Sequence, residues 1–162
     1  LSGADGEFIR AERRSPVPVD YGFVGDPVEV NRGLAHMMAE SGDTIVAAPV
    51  TTDGSGKLLN NNADTIAQAV AVAMSSDNKV ELVYCFEKNG VLLDVNDNNS
   101  VIQMIDKQSF ESLKEDGIVA DGMLPKLENA FAAIDSGVSR VVICNAANIL
   151  QPGYGGTSIT EK

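Results

Sequence analysis

Short continuous apolar runs alternate along this chain with segments whose apolar residues recur every three or four positions. Residues 44–50 (Thr-Ile-Val-Ala-Ala-Pro-Val), 80–85 and 140–144 are such runs and predict buried strands, because a strand covered on both faces needs no polar side. Pro49 puts the end of the first near a sheet edge or rim. Between them, Ala63, Ile66, Ala67, Val70 and Met74 repeat at helical spacing and predict a helix running to about Ser75. Asn31 is placed to cap a helix with Leu34, Met37 and Met38 inside, closed by Gly42. Asp106 is placed to cap another with Phe110 and Leu113 inside, closed by Gly117. A fourth is entered through Asp121-Gly122-Met123-Leu124-Pro125-Lys126, buries Leu127, Ala130, Phe131 and Ile134, and ends at Gly137.

The remaining segments read as turns and edges. Residues 1–14 suggest a hairpin with a Gly3-Ala4-Asp5-Gly6 turn, and Pro16 and Pro18 break it. Residues 20–25 resume an extended run, with Val28 and Val30 alternating after it. Gly54-Ser55-Gly56 is a tight turn into the short extended Lys57-Leu58-Leu59. Residues 86–90 form a loop, residues 94–100 a polar loop, and residues 155–159 a short final edge. Strands alternating with amphipathic helices predict one α/β layered domain over residues 1–162 with a mostly parallel sheet. Ligands of such sheets bind beyond the C-terminal strand ends, which here means the Asn60 junction and the loop at 86–90.

Composition narrows the function classes. At 162 residues and 44% apolar content the chain can bury a core. No 18-residue apolar run is present, so no membrane helix is expected. A net charge of −11 excludes a nucleic-acid surface, which needs clustered cations, but leaves room for small anions. Cys85 and Cys144 lie in apolar runs and read as reduced core thiols of a cytoplasmic protein. Leu1-Ser2-Gly3 begins in mid-pattern, the expected look of a fragment or a processed or truncated form.

The polar chemistry concentrates in Asn60-Asn61-Asn62-Ala63-Asp64, at a strand-to-helix junction. A helix start uses one or two such groups as caps; three amides and a carboxylate leave a surplus able to face a ligand. Lys126 is the second candidate. It lies in the first turn of its helix, where the macrodipole disfavours a cation, and a phosphate beyond the helix end would explain it; a solvated surface lysine is the plainer alternative. Other motifs carry less. Gly54-Ser55-Gly56-Lys57 imitates the end of a P-loop, but Thr51 and Leu58 occupy the positions of its first Gly and its Ser/Thr, so a hairpin turn is expected. Residues 153–158 are glycine-rich but open no helix, Asn98-Asn99-Ser100 is a chance glycosylation match, and His36 reads as an ordinary half-buried helix residue.

In their order and spacing these segments resemble the acetylglutamate kinases of the amino-acid kinase family. Leu1-Ser2-Gly3-Ala4-Asp5-Gly6 with Ile9-Arg10-Ala11 is similar to the family's central hairpin, and residues 20–31 to its "GFVG…V" strand pair. Asn60-Asn61-Asn62-Ala63-Asp64 matches "N-x-N-A-D". Gly122-Met123-Leu124-Pro125-Lys126 matches "GGM-x-x-K" with Asp121 for the first Gly, and Gly156-Thr157-Ser158-Ile159 resembles the terminal "GT-x-I" strand.

The resemblance implies the amino-acid kinase (carbamate kinase-like) fold, a three-layer α/β sandwich. This chain would be its C-terminal ATP-binding portion, with residues 1–30 near the lobe junction and the N-terminal lobe absent. It implies transfer of the ATP γ-phosphoryl group to the γ-carboxylate of an N-acylglutamate, in arginine biosynthesis, with Mg²⁺ bound through the nucleotide, in a cytoplasmic homodimer. By position, Asn60 would bind the amino-acid substrate, Asp64 would orient the catalytic lysines, and Lys126 would sit on the transferring phosphoryl group. Phe86, Glu87, Lys88, Asn89, Gly90, Val91, Leu92, Ile118, Val119, Ala120 and Met123 would line the nucleotide pocket. The sequence departs from the family at Cys85-Phe86-Glu87-Lys88-Asn89-Gly90-Val91, where Phe86 replaces an Asp in a longer loop, and at residues 146–154, where a helix is shortened. A glutamate or aspartate kinase of the same fold, or an inactive nucleotide-binding fragment, are the competing readings.

Overall fold

Cap and turn residues set most element boundaries in the computed structural model, which describes residues 1–119 and 122–161, without the side chain of Pro152. Two compact units result, Leu1–Met74 and Ser75–Lys162.

The first unit holds β1 (Ile9–Arg13), β2 (Gly25–Val30), α1 (Arg32–Glu40), β3 (Val50–Thr52), β4 (Leu58–Asn60) and α2 (Ala63–Ser75), the last residue of which opens the second unit. Its sheet runs β2-β1-β3-β4. β1 pairs antiparallel with β2 and parallel with β3, and β3 pairs antiparallel with β4. Asn31 caps α1, its Oδ1 accepting from the Leu34 N–H at 3.0 Å. Phe8, Ile9, Ala35 and Ile66 form the buried centre, with Val30, Leu34, Met38, Ala47, Val70 and Met74 packed against it.

Three expectations for this unit are corrected. The hairpin is not formed within residues 1–14; β1 pairs instead with β2 beyond the Pro16–Pro18 break, while Ser2 bridges in parallel to Ala48. Of the apolar run at 44–50, only Val50 enters a strand, because Leu1 and Ser2 are the neighbours that reach the run, through bonds such as Ala48 N–H to the Leu1 carbonyl at 2.8 Å. Val46 is consequently 76% exposed, not buried. On α1, the 100° step per residue puts Ala35 inside in place of Met37, which is 62% exposed.

The second unit holds β5 (Glu81–Phe86), β6 (Met104–Ile105), α3 (Lys107–Glu115), α4 (Met123–Asp135), β7 (Arg140–Asn145) and β8 (Thr157–Ile159). Its sheet runs β5-β7-β8-β6, with parallel outer pairs and an antiparallel β7–β8 pair. The α/β class therefore takes the form of two mixed four-stranded sheets. Asp106 and Ser109 close a reciprocal capping box at the start of α3. Leu127, Ala130 and Ala133 of α4 are fully buried, as are Val141, Val142, Ile143 and Cys144 of β7. The Phe110 and Phe131 rings join α3 to α4 at 5.1 Å between centroids.

Here two expectations change. Residues 157–159 form an interior strand, β8, between β7 and β6 rather than a final edge. Gly156 admits the close approach this requires, since a Cβ there would lie 2.7 Å from the Cys144 Cβ. Cys85 is exposed rather than a core thiol, because it lies on β5, an edge strand of its sheet. Cys144, its register partner, stays buried, and burial pushes its thiol above the ordinary value, with Cys85 adding to the effect.

Candidate functional site

The β4–α2 junction divides its polar work among the three asparagines. The hairpin leading into it turns on Asp53, whose Oδ1 accepts from the Ser55 N–H and hydroxyl, each at 2.8 Å, and from the Lys57 N–H at 3.1 Å. The bond from the Ser55 hydroxyl is the main reason the Asp53 carboxyl sits below its usual range. Gly54 and Gly56 have φ of +79° and +94°, so the segment that imitates a P-loop is a hairpin turn. Asn62 is the cap of α2: its Oδ1 accepts from the Asp64 N–H at 2.8 Å and the Thr65 N–H at 3.2 Å. Asn61 is buried, and its Nδ2 donates to Thr51 Oγ1 at 2.7 Å and to the Leu59 carbonyl at 3.0 Å. Its Oδ1 has no hydrogen-bond partner. Asn60 is the surplus amide. Its backbone N–H is used by the Phe23 carbonyl at 2.8 Å, while the residue itself is exposed at the end of β4. Asp64 is half-buried in the first turn of α2, held by the bond from its backbone to Asn62.

In the second unit, a cavity of about 330 Å³ opens beside the loop that leaves β5. Lys88, Gly90, Val91, Leu92, Ile118 and Met123 line it, together with Val95 and Gly117. Its walls are mostly apolar, with one cation at the rim. The Lys88 Nζ donates to Asn98 Oδ1 at 3.1 Å and reaches the Val95 carbonyl at 3.5 Å, so the polar loop at 94–100 fixes where that charge lies. Gly90 is required by packing: a Cβ there would lie 2.7 Å from Thr157 Oγ1 and 2.9 Å from Val101 Cγ1. The next residue ties the loop to β8, its N–H donating to Thr157 Oγ1 at 2.8 Å.

Of the other residues expected in a nucleotide pocket, Phe86, Glu87, Asn89 and Val119 are not among those lining this cavity. Phe86 is the last residue of β5, and its ring lies under Lys126, whose Nζ is 3.9 Å from the ring centroid. Glu87 is exposed; its carbonyl accepts from Asn145 Nδ2 at 2.7 Å. Asn89 Nδ2 donates to the Asn98 carbonyl at 3.3 Å. Val119 is buried, with its N–H bonded to the Leu113 carbonyl. Ala120 and Asp121 lie outside the described residues. Val95 and Gly117 were not foreseen as lining residues. Gly117 was legible only as the glycine that closes α3, with φ +69°, and Val95 only as an apolar residue stranded in a polar loop.

Residues 1–145 match the amino acid kinase family. The chain is 50% identical over 151 residues to the acetylglutamate kinase of Parabacteroides distasonis, covering 93% of this chain and 59% of that protein. It is 49% identical to the Bacteroides fragilis acetylglutamate kinase, covering 99% and 61%. Among solved structures, the smu.665 protein of Streptococcus mutans UA159 aligns with a TM-score of 0.78 at 27% identity, covering all of this chain and 61% of that one. The N-acetylglutamate synthase of Neisseria gonorrhoeae aligns at 0.85 with 24% identity, a likeness of fold, over 38% of its length. The chain thus spans about three fifths of the length of the curated relatives it matches. It belongs to the amino acid kinase family.

Proposed function

We propose that this chain is the nucleotide-binding portion of an ATP-dependent kinase that phosphorylates the γ-carboxylate of an N-acyl-L-glutamate, a step of arginine biosynthesis. The observation that carries the proposal is the 50% identity, across 93% of the chain, with a protein named acetylglutamate kinase. The cavity supports it independently. A space of about 330 Å³ with apolar walls at Val91, Leu92, Val95, Ile118 and Met123 suits a purine, and Lys88 at the rim suits the anionic part of a nucleotide.

When bound, ATP with its Mg²⁺ supplies the transferable phosphoryl group. The residues of this chain position and neutralise. Lys126 would set its ammonium against the charge that develops on the phosphoryl oxygens, with the N-terminal end of α4 adding partial positive charge. Asn60 offers an amide to the amino-acid substrate, and Asp64 is an organising carboxylate. No general base is required, since a carboxylate nucleophile is already ionised at neutral pH. The enzyme would work in the cytoplasm as a homodimer.

The test is ADP release, coupled to a dehydrogenase, by the intact protein that carries this chain, with N-acetylglutamate, N-succinylglutamate, glutamate and aspartate. Turnover with an N-acylglutamate supports the proposal. Turnover with glutamate or aspartate alone makes the enzyme a different kinase of the fold, and none at all sinks the activity. Lys126→Ala should slow turnover about 10²–10³-fold, the usual effect of removing one group that stabilises transition-state charge; an unchanged rate removes Lys126 from the role.

A further inference from the structure

We propose that Cys85 and Cys144 form a thiol modification site: a small soluble disulfide oxidises the pair, through Cys85, to a reversible disulfide between β5 and β7. Nothing in this depends on the kinase reading, which uses neither thiol.

Two observations place the thiols together and a third divides their roles. First, Cys85 on β5 and Cys144 on β7 are register partners in a parallel ladder. Register partners on adjacent strands stand on the same face of a sheet. Adjacent strands lie about 4.7–4.9 Å apart, within the range of about 4.4–6.8 Å that a disulfide spans between Cα atoms. Second, Cys85 adds to the effect of burial on the Cys144 thiol, through its charge and through a side-chain hydrogen bond between the two, so the sulfurs are neighbours. Third, the two differ in access. Cys85 is exposed on an edge strand, whereas Cys144 is fully buried on an interior one.

The difference in access sets the order of events. A dissolved reagent cannot reach a fully buried sulfur, so Cys85 reacts first. Its thiolate attacks one sulfur of the small disulfide. The S–S bond breaks, the other half leaves as a thiol after taking up a proton, and a mixed disulfide remains on Cys85. Cys144 then gives up its proton, attacks the Cys85 sulfur and expels the second half as a thiol. One small disulfide is consumed, two small thiols carry away the two cysteine protons, and one Sγ–Sγ bond is formed.

The bond so formed is a labile one. A disulfide needs its Cβ atoms about 3.5–4.5 Å apart, closer than the strand spacing, so closure draws β5 toward β7. β5 can give, because among the described residues a ladder holds it on one side only. The strain stored by closure makes the bond easy to reduce again, which suits a regulatory disulfide rather than a structural one.

The experiment exposes the intact protein that carries this chain, reduced beforehand and kept in native buffer, to oxidised glutathione. Remaining thiols are blocked with N-ethylmaleimide at intervals, and the digest is mapped by mass spectrometry. Early samples should carry glutathione on Cys85 and none on Cys144. Later samples should lose both free thiols and yield linked peptides containing Cys85 and Cys144, two hydrogens lighter than the reduced pair, which dithiothreitol separates. Cys144→Ser should stop at the mixed disulfide on Cys85, and Cys85→Ser should leave Cys144 reduced. The wild-type course decides the matter even where a variant fails to fold. A Cys85 that does not react in the native protein overturns the proposal. So does a mixed disulfide on Cys85 that persists without linking to Cys144, or glutathione that appears first on Cys144.

Discussion

Gly90→Ala tests whether the cavity loop is seated on β8 as described. The added Cβ would lie 2.7 Å from Thr157 Oγ1, 2.9 Å from Val101 Cγ1 and 3.0 Å from the Thr157 backbone nitrogen. Thr157 is fully buried on an interior strand and cannot swing away. Its hydroxyl also accepts from the Val91 N–H, so relief of the clash would come at the cost of that buried bond. Overpacking typically costs about 1–3 kcal/mol, and leaving a buried N–H unpaired about 1–3 kcal/mol. The chain can relieve one only by accepting the other, so the net loss should be about 1–3 kcal/mol. Equilibrium urea unfolding followed by circular dichroism measures it. Thr157→Ala alone should cost about 1–3 kcal/mol by orphaning the Val91 N–H. The double variant should cost less than the sum, because deleting the hydroxyl removes the nearest clash. A Gly90→Ala loss below about 0.5 kcal/mol, the scale of an ordinary surface substitution, would refute the seating of this loop.

Caps, a buried amide and paired carboxylates give further expectations. Asn62→Ala should destabilise α2 by about 1 kcal/mol through loss of the cap on Asp64 and Thr65, read as a lower urea midpoint. Asn61→Asp should cost about 3 kcal/mol at pH 7, because an anionic oxygen would face the Leu59 carbonyl; the loss should shrink in acid as the new carboxyl protonates. For the native chain, Asp26, Asp53 and Asp106 all have carboxyls held below the ordinary value of 3.8. The causes are the Arg14 side-chain bond, the Ser55 hydroxyl bond and the Ser109 N–H bond respectively. A depressed folded value means the contribution is complete above the unfolded value and is lost as pH falls through the folded one. Stability should therefore hold between pH 7 and about 4.5, helped by relief of the −11 net charge, and fall below pH 3.8. Urea midpoints across that range check it, and Asp106→Asn should flatten part of the acid limb.

What the sequence made legible was local. The caps Asn31 and Asp106 and the closing glycines Gly42, Gly117 and Gly137 could be read because their chemistry involves only the adjacent turn. The same holds for Asn62 as one of three amides at a helix start. What was not legible depended on distant partners. Residues 44–49 are as apolar as a buried strand, yet a run becomes a strand only where neighbours supply a ladder, and here Leu1 and Ser2 reach it. Cys85 and Cys144 sit in similar runs, but one strand is an edge and the other is interior, which no pattern along the chain records. In the candidate site, the loop after β5 and the segment before α4 were expected together from the family resemblance. The cavity lining at Lys88, Gly90, Val91, Leu92, Ile118 and Met123 draws on both. Phe86, expected in a nucleotide pocket, is not among the residues lining this cavity, and its ring lies under Lys126.

The central claim is the phosphorylation of an N-acylglutamate, and ADP release by the intact protein measures it most directly. The account predicts ADP release from ATP that requires N-acetylglutamate or N-succinylglutamate and that falls about 10²–10³-fold in Lys126→Ala. ADP release that no N-acylglutamate raises above the background without acceptor would contradict it.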